Sequence, residues 1–147
     1  MTLAEILIDA LSRSRERFDR ALADVTLEQA NTPPVPDIAP RTNSLTWLAW
    51  HTAREIDLQI SLMAGQEFVW FTGGHRERFD LPLPDDTQDW RHTPEEAAQV
   101  VVDDLSVLTA YLDDAYAMAY GYMRSLAPER LNDVIDSSWD PPVTRGA

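Results

Sequence analysis

The sequence predicts an all-α protein, an up-down helical bundle in which three long helices can be recognised. Apolar residues recur at intervals of three and four in three long segments, which is the spacing that places them on one face of a helix. The second and third of these segments begin with residues that favour helix caps. No segment shows the two-residue alternation of a half-buried strand. Together these observations favour antiparallel helices packed on one core.

The first predicted helix covers residues 2 to about 24. Its arginines between residues 13 and 20 alternate with acidic residues, so we interpret them as a solvated face with ion pairs and not as a basic patch. Thr26 and Gln29 predict one short capped turn before a proline-rich connection. The apolar face of the helix comprises Leu3, Leu7, Ala10, Leu11, Phe18, Ala21 and Leu22.

The second predicted helix begins at Asn43 or Ser44, either of which can cap it, and ends at Gly65. We predict that its core face comprises Leu45, Leu48, Ala49, Thr52, Ala53, Ile56, Ile60 and Met63. Residues 65–93 contain glycines, prolines and acidic residues, so they are interpreted as a long surface segment with a helical turn at Arg76–Phe79.

The third predicted helix has the clearest start, because Thr93 and Glu96 can form a capping box around Pro94. Apolar residues keep the spacing of three and four for about four heptads beyond it, so one long helix is expected up to Ala127. The adjacent carboxylates Asp103–Asp104 and Asp113–Asp114 are interpreted as part of its solvated outer face, and Tyr116 as a packing residue.

Composition excludes several kinds of protein. The 147 residues fit one domain, residues 1–147, and the absence of cysteine rules out disulfides, thiolate metal sites and a cysteine nucleophile. The net charge of −13 argues against binding to nucleic acid or to an anionic membrane surface. No apolar stretch approaches the roughly 20 residues that span a bilayer. We expect a cytoplasmic protein.

Three histidines limit the metal chemistry that the chain can support. His75 and His92 fall in the predicted loop segment and are interpreted as solvated or locally hydrogen-bonded. His51 lies at the margin of the second helix's core face, with Glu55 one turn further along. The two side chains could bind one cation. Alternatively, the ring of His51 could donate a hydrogen bond to Glu55 and pack against Trp47 in a purely structural role.

Three segments carry a resemblance to a known family: Asn43–Glu55, Trp90–Glu96 and Trp139–Gly146. They resemble the DinB-like superfamily, in particular the relatives of mycothiol-dependent maleylpyruvate isomerase and of bacillithiol transferases. The resemblance implies a four-helix bundle, often a homodimer, with a divalent metal held by three histidines. His51 matches the first of these ligands.

In the family the other two histidines lie on a helix that follows the segment matching Trp139–Gly146, whereas this sequence ends at Ala147. We expect either a piece of a longer protein or a bundle that has lost its last helix and its metal triad. The first is favoured, because three amphipathic helices alone would expose an apolar groove. A second copy of the chain could cover that groove instead.

The resemblance implies a divalent-metal-dependent thiol transferase or isomerase that uses a low-molecular-weight thiol such as mycothiol. Zinc or nickel would be bound by His51, with Glu55 and Trp47 as outer-shell or pocket residues. No catalytic residue is assigned. The alternative is a non-enzymatic bundle that binds a small apolar ligand or a partner helix and keeps only a vestige of the metal site. A homodimer is compatible with both.

Overall fold

The computed structural model describes residues 2–39 and 41–146. Seven α-helices are found in these residues: α1 Leu3–Leu22, α2 Leu27–Asn31, α3 Leu45–Ala64, α4 Val69–Thr72, α5 His75–Phe79, α6 Pro94–Ala97 and α7 Leu105–Ser125. A short antiparallel hairpin follows, with β1 Val134–Asp136 and β2 Val143–Thr144. Single 3-10 turns lie at Asp89–Arg91 and Pro128–Asn132.

The all-α prediction is confirmed, and α1, α3 and α7 are the three long helices. Helix α7 packs along most of α3 and also contacts α1. The core between them contains large side chains that are almost completely buried, among them Trp50, Leu108, Tyr111 and Leu112. The sequence did not predict the hairpin, which has only five residues in its strands. None of the helices in the described part of the chain has the length and apolarity to cross a bilayer.

The predicted helix boundaries depend on caps that the structure contains. Ser44 accepts a hydrogen bond from the backbone N–H of Trp47 and starts α3. Gly65 ends α3 in the left-handed conformation, with φ of +68°, which only glycine adopts at little cost. Thr26 and Gln29 form the expected capping box at α2. Local capping chemistry therefore sets these boundaries.

The predicted core face of α3 is wrong in part. Leu48 is 44% exposed, whereas Trp50 and Asp57, which the prediction left out, are 1% and 2% exposed. Helix α3 has apolar residues on more than one side, and α7 and α4 cover the side that carries Trp50. Spacing alone does not show which side of such a helix is covered.

The predicted long third helix is interrupted. The capping box at Thr93 is present, but α6 ends after one turn, and a new helix begins at Asp104, whose side chain accepts from the N–H of Ser106. The intervening Val102 is held by Asn31, which donates to the Val102 carbonyl oxygen at 2.8 Å and accepts from its N–H at 3.2 Å. This contact joins residues far apart in sequence, and no helical pattern can reveal it.

The segment from residue 65 to residue 93 is not a surface loop, which corrects a second expectation. Trp70, Phe79 and Asp89 in it are buried, and so is His75, which is 0% exposed. The Nε2 atom of His75 lies 2.9 Å from a carboxylate oxygen of Asp114. The interpretation of His75 as a solvated residue is therefore wrong: it packs α5 against α7.

Side chains of α1 and α7 connect these two helices. The ion pairs on α1 join Arg13 to Asp9 and Arg20 to Glu16 one turn apart, as expected. Arg15 pairs with Asp19 and also reaches Asp113 of α7 at 2.6 Å. Tyr116 is buried and shares a hydrogen bond with Ser14. These contacts fix α1 to α7.

Arg145 attaches the C-terminal hairpin to the bundle. Its guanidinium donates to the carbonyl oxygen of Met63, at 3.0 Å, and to the hydroxyl of Tyr122. The side chain is 8% exposed. The hairpin therefore lies at the end of α3 that is remote from Ser44.

Asp57 provides the most concentrated polar contact of the fold. One carboxylate oxygen accepts from the hydroxyl of Ser61 at 3.0 Å and from the N–H of Val69 at 2.8 Å. The other accepts from the N–H of Trp70 at 2.8 Å and from the hydroxyl of Tyr111 at 3.0 Å. Burial and the neighbouring carboxylate raise the pKa of Tyr111, so this hydroxyl stays protonated and remains a donor. One side chain thus connects α3, the first turn of α4 and α7.

We predict that Asp57→Ala destabilises the fold by about 3 kcal/mol or more, because two backbone N–H groups and a buried hydroxyl lose their acceptor. Asp57→Asn should also destabilise it, since an amide nitrogen cannot accept a hydrogen bond. Chemical denaturation measures both. Asp24→Ala, at an exposed position, is the matched control and should change the free energy of unfolding by less than about 0.5 kcal/mol. Equal stability of Asp57→Ala and this control would contradict the role assigned to Asp57.

Candidate metal centre

His51 and Asp89 form the best-defined polar pair of the candidate site. Helix α3 presents His51 with its side chain 26% exposed, and the 3-10 turn at Asp89–Arg91 presents Asp89 with its side chain 5% exposed. The Nδ1 atom of His51 lies 2.8 Å from a carboxylate oxygen of Asp89. An ionised carboxylate can only accept, so Nδ1 carries the proton of this hydrogen bond. This hydrogen bond holds the imidazole ring beside the carboxylate.

Glu55 is the third candidate metal ligand, beside His51 and Asp89. It lies one turn beyond His51 on α3, and His51, Glu55 and Asp89 each offer a ligand atom within 4.8 Å of the others. These three residues could hold a metal ion. The structure thus brings the two residues that the sequence singled out together with a third, Asp89, that it did not. Asp89 is 38 residues from His51, in a turn without a recognisable ligand spacing, so no local signal marks it.

Aromatic rings hold His51 in place. The Trp47 ring stacks on the His51 ring, with 4.5 Å between the centroids and 19° between the planes. The indole N–H of Trp47 donates to Nδ1 of His92 at 3.1 Å, and the His92 ring stacks on Trp50. Trp47, predicted as an outer-shell or pocket residue, is therefore in direct contact with the candidate ligand.

His92 supports the site and is not merely a loop residue. Burial lowers its pKa, against the opposing effect of Glu96 and Asp89, so the ring is neutral at neutral pH. Because its Nδ1 accepts from Trp47, its Nε2 carries the proton and can donate to the Thr87 hydroxyl at 2.8 Å. The expectation of a local hydrogen bond holds for Thr87, but the bond to Trp47 spans 45 residues.

A cavity of about 450 Å³ lies beside two of the three candidate ligands. Glu55 and Asp89 both line it, so it shares its wall with the metal-binding group. Five aromatic residues also line it: Phe68, Trp70, Phe71, Trp90 and Tyr111. A cavity of this size, apolar with a few convergent polar groups, has the usual character of a small-molecule site.

Arg54 connects the cavity to the candidate ligands. Its guanidinium lies over the rings of Trp50 and Trp70, 5.2 and 5.4 Å from their centroids. Its Nε is 4.0 Å from a carboxylate oxygen of Asp89, and its Nη2 donates to the carbonyl oxygen of Asp85 at 3.4 Å. A cation in this position offsets part of the cost of burying Asp89.

The donor set suits a divalent cation. One imidazole nitrogen and two carboxylates are ligands that zinc and other first-row divalent metals accept, and three protein ligands are the usual number at a catalytic metal. Asp89 is almost completely buried, and a cation would compensate its charge together with that of Glu55. The residues present therefore fit a metal ion.

Comparison with known proteins identifies the family. A model of the DinB superfamily matches residues 10–147. A solved structure of a conserved protein from Enterococcus faecalis is 46% identical, with a TM-score of 0.90, and the match covers 99% of this chain and 84% of that chain. No curated protein matches the chain. The chain belongs to the DinB superfamily.

Proposed function

We propose that this protein is a divalent-metal-dependent transferase or isomerase that acts through a low-molecular-weight thiol. The observation that carries the proposal is the convergence of His51, Glu55 and Asp89, together with an aromatic cavity that Glu55 and Asp89 line. Ligands for a cation and a space for an apolar substrate thus adjoin each other. The chain's membership in the DinB superfamily supports the proposal, because the resemblance to that family implies this chemistry.

His51, Glu55 and Asp89 would hold the metal. When bound, a divalent cation lowers the pKa of a coordinated thiol and so supplies a thiolate at neutral pH. This chain has no cysteine, so the thiol would have to be brought by a co-substrate. Zinc or nickel is proposed, because both accept imidazole nitrogen and carboxylate oxygen.

The protein's own residues would provide orientation and a dry environment. Asp89 accepts a hydrogen bond from Nδ1 of His51 and so holds the imidazole beside the carboxylates, and a cation shared by the two residues would take the place of that proton. The Trp47 ring keeps the imidazole from turning. The guanidinium of Arg54 lies 4.0 Å from the Asp89 carboxylate and offsets part of its negative charge. The aromatic wall would bind the apolar part of a substrate and exclude water from its reacting atom.

A separate observation favours the alternative of a non-enzymatic bundle that binds a partner helix. Leu48, Leu58 and Leu62 are 44%, 37% and 65% exposed, and they lie on α3 with His51 and Glu55 at intervals of three and four. This is the spacing of a helix-packing face, and in the described residues no element covers these leucines fully. A partner helix or a second copy of the chain would bind here without any chemistry at the metal-binding group.

The metal proposal predicts about one equivalent of zinc or nickel per chain. His51→Ala and Glu55→Gln should each weaken the affinity at least about tenfold, because each removes one of three protein ligands. Isothermal titration and metal analysis measure this, with circular dichroism to confirm folding. Glu129→Gln, an exposed residue with the same loss of charge, is the control. Less than a tenth of an equivalent, with no effect of His51→Ala, would refute the proposal.

The alternative predicts self-association or helix binding through the exposed face of α3. In sedimentation experiments the wild-type mass should rise with concentration, and Leu62→Glu should abolish the rise, since a charge would be buried at the interface. Ile38→Glu is the matched control because Ile38 is 85% exposed and lies outside this face. A wild-type chain that stays monomeric at all concentrations would argue against the homodimer.

A further inference from the structure

The charges around the aromatic cavity are strongly unbalanced. Among its lining residues that the structure describes, five carry carboxylates and one, Arg54, carries a guanidinium. The guanidinium is already engaged by two indole rings, by Asp89 and by a backbone carbonyl. The described lining residues therefore leave no free cation to pair with an anionic ligand.

Most of the lining carboxylates are also engaged. Asp57 accepts four hydrogen bonds, Asp85 pairs with Arg76, and Asp89 binds His51. In the part of the chain that the structure describes, the side chains of Glu55 and Asp86 have no hydrogen-bond partner. If Glu55 binds a metal, Asp86 is the one lining carboxylate still available to a ligand.

The excess of carboxylates favours a positively charged ligand, and the aromatic residues of the wall favour one as well. Phe71 and Trp90 are 43% and 62% exposed, which is unusual for large aromatic rings, and Phe68 lies near Phe71 with 6.2 Å between ring centroids. The faces of aromatic rings attract cations, and the wall already holds two in this way: the Arg54 guanidinium lies over Trp70 and the Arg91 guanidinium lies over Trp90. Apolar bulk and positive charge in one ligand would satisfy both the rings and the free carboxylate.

We propose that the cavity binds an aromatic or alicyclic ligand that carries an amine or a quaternary ammonium group. Its apolar body lies against Phe68, Phe71 and Trp90, and its cationic group faces Asp86. That this ligand is the substrate rests on the proposed function. That the cavity binds such a ligand does not depend on a metal.

The test compares three probes of similar size: benzyltrimethylammonium, benzyl alcohol and phenylacetate. Each is titrated into chelator-treated and into zinc-treated protein, with calorimetry and tryptophan fluorescence as readouts. The ammonium probe should bind at least about fivefold more tightly than the alcohol, the amount expected of one cation–π contact, and phenylacetate should bind most weakly. Phe71→Ala should weaken binding of both the ammonium probe and the alcohol.

The Asp86→Asn variant tests the contribution of the Asp86 negative charge to ligand binding. It should weaken binding of the ammonium probe by about threefold and leave the alcohol unchanged, since an exposed carboxylate contributes a modest, salt-dependent attraction. Glu129→Gln, which makes the same change of net charge elsewhere, should have no effect.

Three results would overturn the assignment: equal binding of the ammonium probe and the alcohol, tighter binding of phenylacetate, or loss of the preference for the ammonium probe in zinc-treated protein. Failure of zinc binding with the preference intact would overturn the proposed function alone.

Discussion

The buried carboxylate of Asp57 is the constraint on which the rest of the site depends. Burial of a charge is unfavourable unless its hydrogen bonds are satisfied, and four donors from three helices satisfy this one. Two of them are backbone N–H groups at the start of α4, so the position of Trp70 follows from the position of Asp57. Trp70 then supports Arg54, and Arg54 lies within 4.0 Å of Asp89, the partner of His51.

Two acidic residues on one helix thereby acquire different roles. Glu55 and Asp57 are two positions apart, so their side chains leave α3 in directions about 200° apart. Asp57 is directed into the packing between helices and has all its hydrogen bonds made there. Glu55 lies on the partly exposed side with His51, where a cation or a ligand can reach it. Helix α3 thus stabilises the cavity wall through Asp57 and offers a metal ligand through Glu55.

The sequence predicted what is encoded locally. Caps at Ser44, Gly65 and Thr26 set helix boundaries through contacts within a few residues, and the spacing of apolar residues revealed the long helices. The break after α6 was missed, because Asn31 holds Val102 across 71 residues. The burial of His75 was missed for the same reason, since Asp114 is 39 residues away. His51 and Glu55 were found because they share a helix face, whereas Asp89 joins them only through the tertiary fold.

The central claim is that His51, Glu55 and Asp89 form a metal site beside the aromatic cavity. Anomalous diffraction from crystals of zinc-treated or nickel-treated protein tests it most directly. We expect one strong anomalous peak within about 2.0–2.2 Å of a His51 ring nitrogen, with carboxylate oxygens of Glu55 or Asp89 at similar distances. A peak at His75 or at surface carboxylates, with none beside His51, would contradict the claim.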